Sequence, residues 1–223
     1  MAIKAIIFDF DGTIGDTYQA VVDITNGLSS EFGYKPLDRE TSLLLKNLSS
    51  REIVKQSEVS FFKLPFLVKR IQTEMGKQIE HLAPIAGIPE VLTALKRQGY
   101  ILGIITSNAE NNVTAFLQKQ KLAHLFDFMY SGATLFGKHR IINKVAKKYH
   151  LAKTEIIYVG DETRDIRSAK KSKVAVIAVT WGFQSESILK RYQPTFLAQK
   201  PSDILNAVLP QVEATTSNLA ISH

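Results

Sequence analysis

The chain has 223 residues, 45% of them hydrophobic, and 28 Lys and Arg against 21 Asp and Glu, a net charge of +7; that length suits one large domain or a domain with an inserted module. It has no cysteine, which excludes disulfides, thiolate nucleophiles and Cys-bound zinc and leaves oxygen or His ligands for any metal. No run of about 18 apolar residues and no complete signal peptide is present, and the lysines lack interleaved aromatics, so a cytoplasmic protein with no membrane or specific nucleic-acid partner is expected.

The first element is the apolar run Ile3–Phe8, predicted as a buried strand, which leads directly into Asp9-Phe10-Asp11-Gly12-Thr13. Two carboxylates two residues apart at the end of a buried strand are costly to desolvate, and the following glycine lets the chain turn. The pattern calls for a cation and a reaction; an ordinary strand exit with acidic turn residues is the plainer alternative. From Asp16 to Pro84 the pattern becomes helical, over Tyr18–Phe32, Thr41–Lys46, Ser50–Ser57 and Phe62–His81, with Asp16 or Thr17 as the first N-cap. Residues 16–84 therefore read as a small α-helical cap domain. Pro84–Pro89 is the return linker, and Glu90–Gln98 a core helix ending at Gly99.

Further strands are predicted at Ile101–Ile105, Ile156–Val159 and Val174–Val179, alternating with helical patterns. That alternation predicts an α/β fold, a Rossmann-like parallel sheet with helices on both faces, formed by residues 1–15 and 85–210. The first three strands each end in polar residues: Asp9 and Asp11, Thr106-Ser107-Asn108, and Gly160-Asp161. Ligands of open α/β sheets bind beyond the carboxyl ends of the strands, so these segments can converge on one pocket. Residues 211–223 are polar and aperiodic and read as a disordered tail.

With these motifs in order, the chain resembles the haloacid dehalogenase-like hydrolase superfamily, within the phosphoglycolate-phosphatase-like group that carries a helical cap after its first motif. The resemblance implies that Asp9 is a nucleophile forming an aspartyl-phosphate. It implies that Asp11 is the general acid and base, whose backbone carbonyl also meets the metal. Thr106, with Ser107 and Asn108, resembles the motif that holds phosphoryl oxygens, although Thr-Ser-Asn alone is also a common helix N-cap. Lys138, opening a helix after Phe136-Gly137, resembles the lysine that offsets charge on phosphate and nucleophile; a lone Lys is otherwise a surface residue. Asp161 and Asp165 in Gly160-Asp161-Glu162-Thr163-Arg164-Asp165 would join Asp9 around one Mg²⁺, whose hard-oxygen coordination suits them. An acidic loop entering a helix is the plainer reading of that stretch.

The implied activity is Mg²⁺-dependent hydrolysis of a small phosphate monoester such as 2-phosphoglycolate, by a monomer or homodimer. A small phosphorylated metabolite also suits the positive charge. The alternatives are a sugar-phosphate phosphomutase and a non-catalytic phosphometabolite-binding protein. Val21 stands where such mutases carry a His, which disfavours the first. The Thr180-Trp181-Gly182-Phe183 loop favours the phosphatase group. Two departures stand out: Gly15 replaces a larger residue, and Lys173 replaces the glycine usual after the fourth-motif helix.

Overall fold

Residues 2–57, 59–60, 62–132 and 137–208 are described by the structure, a computed structural model. Strands β1 (Ala5–Phe8), β2 (Ile101–Ile105), β3 (Phe128–Tyr130), β4 (Ile156–Gly160), β5 (Ala175–Val179) and β6 (Phe196–Ala198) form one sheet. All pairs are parallel, in the order β3-β2-β1-β4-β5-β6. β1 lies at the centre, with Phe8 level with Ile104 of β2 and Val159 of β4. The strand order reverses between β1 and β4, so a crevice opens beyond their carboxyl ends.

Both faces of β1 are buried, which is why its sequence is a continuous apolar run. Ile6 and Phe8 join one hydrophobic cluster, while Ala5 and Ile7 join the other, as the two-residue strand period requires. The first cluster is completed by α6 (Ile88–Arg97), which buries Ile88, Val91, Leu92 and Leu95 at helical spacing, and by α7 (Glu110–Lys119). The second is covered by α8 (Lys138–Lys148) and α9 (Thr163–Ser172). Helices α10 (Glu186–Arg191) and α11 (Ser202–Val208) flank β6.

Between β1 and α6 lie α1 (Tyr18–Gly27), α2 (Ser29–Phe32), α3 (Arg39–Leu45), α4 (Ser50–Gln56), α5 (Leu64–Gly76) and a 3₁₀ turn, Ile79–His81. The chain enters and leaves this segment through adjacent backbone: Asp16 N donates to Ala83 O and Ile85 N to Ile14 O. Gly15 bridges to both Asp11 and Pro84 at that neck. A side chain on Gly15 would press against the Phe10 ring and the Thr17 methyl at 3.2 Å, which accounts for the small residue there.

The structure refines several expectations. Strands β3 and β6 are three residues each, at or near the sheet edge, too short to show alternation in sequence. The helix expected over Tyr18–Phe32 breaks at Leu28. The one expected over Phe62–His81 divides into α5 and the 3₁₀ turn. Helix α6 begins at Ile88, inside the expected linker, because Pro89 sits in its first turn where its missing N–H costs nothing. Thr17 occupies the N-cap of α1 without a capping side-chain bond; its hydroxyl accepts from Gly12 N at 3.2 Å instead. No described helix is long and apolar enough to cross a membrane. The stretch 211–223 and Phe136 lie outside the described residues.

Candidate active site

The acidic residues sit where β1 and β4 end side by side. Asp9 N donates to Val159 O at 2.8 Å, extending the ladder one residue past β1 and placing the Asp9 carboxylate over the crevice. Asp161 follows β4, and Asp165 lies in the first turn of α9. All three are buried, and one carboxylate oxygen of each lies within 4.8 Å of the others.

Each carboxylate is held by local backbone or a nearby side chain. Asp9 Oδ1 accepts from Phe10 N at 2.8 Å, and Asp161 accepts from Thr13 Oγ1 at 2.9 Å and from Phe183 N at 2.7 Å. Asp165 Oδ2 accepts from Glu162 N at 3.1 Å, capping α9 from within. Glycines leave room for Asp161: a Cβ on Gly12 or Gly182 would come within 2.5 Å or 2.2 Å of its carboxylate, and Gly12 has φ +69°. Only glycine fits that turn at both levels, conformation and space.

Lys138, the first residue of α8, is fully buried between two of these acids. Its Nζ lies 2.5 Å from Asp9 Oδ2 and 2.7 Å from Asp165 Oδ1. Burial alone would pull this ammonium down, but Asp165 and Asp9 outweigh it and hold it above its usual value. Three buried carboxylates against one ammonium leave an excess of negative charge. Burial, reinforced by Glu162 and Asp9, pushes Asp161 well above the usual carboxylate range. Burial likewise pushes Asp165 up to about 6 despite Lys138. Asp9 Oδ2 accepts no aligned hydrogen bond, so a ligand position remains on it. A hard divalent cation fits this donor set and would relieve the excess charge.

Asp11 is apart from that cluster. Its Oδ1 accepts from Asn108 Nδ2 at 3.0 Å, and burial followed by the Asp9 charge pushes its pKa up to about 6. Asn108 is itself fixed: its Oδ1 accepts from Ala109 N and Asn112 Nδ2. Thr106 is buried and accepts from Asn108 N at 2.9 Å, which shapes the turn from β2 into α7. Ser107 Oγ faces Arg164 Nη1 at 3.4 Å. Thus Thr106, Ser107 and Asn108 approach Asp11 from the β2 side, while Lys138 and the acidic triad form the other side.

A cavity of about 300 Å³ opens above this floor. Asp11, Ser107, Asn108 and Arg164 line its polar side, and Val21, Ile53, Val54, Ile71 and Met75 from α1, α4 and α5 line its apolar side. Polar bonds tie the helical segment to the site's loops. Ser50 Oγ donates to Glu162 Oε2, Lys46 Nζ to Gly182 O, and buried Gln184 accepts from Thr163 N while donating to Leu48 O. Trp181 packs against the first acidic loop, donating to Thr13 O at 3.3 Å.

Sequence reasoning missed Arg164 and Gln184. Arg164 is buried and paired with Glu162 at 2.6 Å; burial opposes its charge, but Glu162, Asp9 and Asp165 raise its pKa. A cation in the first turn of a helix opposes the helix dipole. That mismatch, inside the quoted Gly160–Asp165 stretch, was a legible signal. Gln184 carried none, because its two partners come from distant parts of the chain.

Residues 6–179 match the family model described as haloacid dehalogenase-like hydrolase. The phosphoglycolate phosphatase of Synechococcus elongatus is 36% identical over 206 residues, covering 92% of this chain and 97% of that protein. The pyrophosphatase PpaX of Bacillus mycoides is 24% identical, covering 92% and 96%. Among solved structures, a haloacid dehalogenase-like family hydrolase of Streptococcus pneumoniae superposes with a TM-score of 0.75 at 23% identity, covering 93% of this chain and 99% of that one. The crevice at the strand-order reversal, its acidic triad and the match across the sheet agree: this chain belongs to the haloacid dehalogenase-like hydrolases.

Proposed function

We propose that the protein is a Mg²⁺-dependent phosphatase that hydrolyses a small phosphate monoester of the phosphoglycolate type, with residues 16–84 acting as a cap over the site. The observation that carries this reading is the convergence of Asp9, Asp11 and Lys138 with Asp161 and Asp165 at one crevice beneath a small cavity. The 36% identity to a phosphoglycolate phosphatase across nearly the whole chain supports the substrate class.

In this mechanism Asp9 attacks phosphorus while Asp11 gives its proton to the departing alkoxide oxygen, leaving an aspartyl-phosphate. Asp11 then takes a proton from the water that attacks this intermediate, releasing inorganic phosphate and restoring both carboxyl groups. A carboxyl group with a pKa of about 6 is suited to serve first as acid and then as base near neutral pH. Lys138 holds Asp9 in place through their ion pair, and Thr106, Ser107 and Asn108 would position the phosphoryl oxygens. Asp9, Asp161 and Asp165 would hold the Mg²⁺, together with the Asp11 backbone carbonyl. When bound, the ion supplies positive charge to the phosphoryl oxygens.

The test is phosphate release from a panel of small esters with and without Mg²⁺, beside Asp9→Asn. Release confined to the metal-loaded wild type is expected, with loss of at least about 10³-fold in the variant. Undiminished release by Asp9→Asn would overturn the reading. A product that retains its phosphate would instead assign a mutase.

A further inference from the structure

A second cavity, also about 300 Å³, lies on the far side of Arg164. Arg164, Arg167 and Lys171 of α9 line it together with His139 of α8 and Arg51 of α4. Residues 164, 167 and 171 recur at helical spacing, so they form a single cationic stripe along α9. No Asp or Glu lines the cavity among the described residues. Two carboxylates lie near the stripe in sequence: Asp165 is paired with Lys138, and Glu162 pairs with Arg164 and accepts from the Ser50 hydroxyl, so Arg164 enters the wall as a paired cation and Arg167 and Lys171 carry the charge of the stripe. Lys170 also borders the cavity, but its Nζ donates to Tyr192 O at 2.7 Å and is directed away.

We propose that this cavity binds a compact polyanion carrying more than one phosphoryl group, separate from the site that hydrolyses phosphate esters. The like charges of Arg167 and Lys171 repel, and a concave wall concentrates their field, so an anion seated there relieves the repulsion. From residue 164 to residue 171 the helix rises about 10 Å. A chain of phosphoryl groups can follow such a stripe along its length, meeting more of its cations than one orthophosphate does. Arg167 suits phosphoryl oxygens because its guanidinium offers two parallel donors, whereas those of Arg164 are directed to Glu162. Because Arg51 belongs to the helical segment and the stripe belongs to the sheet domain, one bound ligand contacts both. Arg164 lines both cavities, which places the second ligand one side chain from Ser107 and the hydrolytic crevice.

The proposal stands independently of the reaction assigned above, and its test uses binding. Inorganic tripolyphosphate, a nucleoside triphosphate and orthophosphate are titrated calorimetrically into the full-length protein with chelator present, so that no metal-dependent turnover intervenes. Three proteins are compared: wild type, Arg167→Gln/Lys171→Gln, and Lys119→Gln/Lys121→Gln, which removes the same charge from exposed residues outside the cavity. Tripolyphosphate is expected to bind the wild type and the remote variant alike, at least ten-fold tighter than orthophosphate and at least ten-fold tighter than it binds the Arg167/Lys171 variant. Metal-loaded ester hydrolysis without polyanion should be unchanged in both variants. Tighter binding of the nucleoside triphosphate than of tripolyphosphate would assign the ligand to nucleotides; equal binding would assign it to the phosphate chain alone. Equal weakening in both variants would reduce the effect to net charge and overturn the proposal. So would unaltered binding in the Arg167/Lys171 variant, or orthophosphate binding as tightly as tripolyphosphate.

Discussion

Asp11 and Asn108 are the pair in which one hydrogen bond governs the proposed proton transfer. The bond from Asn108 Nδ2 stabilises the ionised carboxylate and opposes burial and the Asp9 charge, leaving Asp11 at about 6. As the proposed acid, Asp11 must be protonated before attack, so kcat/KM should fall as pH rises through its pKa. Asn108→Ala removes a downward influence. Its alkaline limb should therefore move to higher pH, whatever the loss in absolute rate. The pH profile of kcat/KM checks this, and a limb displaced to lower pH would contradict the assignment. Lys173 makes a separate point at the same scale. It closes α9 with φ +59°, a left-handed conformation that strains a residue bearing a Cβ. The left-handed turn that ends α9 thus forms without glycine, at a local cost. Lys173→Gly should stabilise the fold by about 1 kcal/mol, read from the urea midpoint at unchanged slope.

At the scale of elements, the short connections rather than the long helices decide the site. Helices α6 and α7 were legible because their apolar residues recur at helical spacing, and strands β1, β2 and β4 because they are apolar and end abruptly in polar residues. Strands β3 and β6 were not legible, since three residues paired at a sheet margin gain their stability from neighbours and display no period of their own. The core depends strongly on α6. Leu92 is completely buried on that helix, and Leu92→Ala should cost about 2–5 kcal/mol through lost burial and the cavity left behind. Thermal or denaturant unfolding measures this. A cost below about 0.5 kcal/mol would mean that the α6 face collapses around the gap.

At the scale of the whole molecule, the acidic triad links stability, protons and metal. Asp165 and Asp161 have raised pKa values in the folded protein, Asp165 at about 6. Between the ordinary carboxylate range and about 6, the folded state thus binds more protons than the unfolded one, and this contribution to stability declines as pH rises. A divalent cation held by these residues, as proposed, would bind the ionised carboxylates and reverse that penalty. The rise in Tm on adding Mg²⁺ should therefore be larger at pH 7.5 than at pH 5; a rise independent of pH would remove the triad from the metal site. The sequence by itself determined the α/β class, the strands that carry Asp9, Thr106 and Asp161, and the family resemblance. Those features depend on local periodicity and on polar residues placed directly after buried strands. Only the tertiary structure decided that Lys138 is buried between Asp9 and Asp165, that Gln184 joins Thr163 to Leu48, and that Arg164 separates two cavities. Each of these depends on contacts between residues far apart in the chain, and no local pattern of hydrophobicity or charge encodes them.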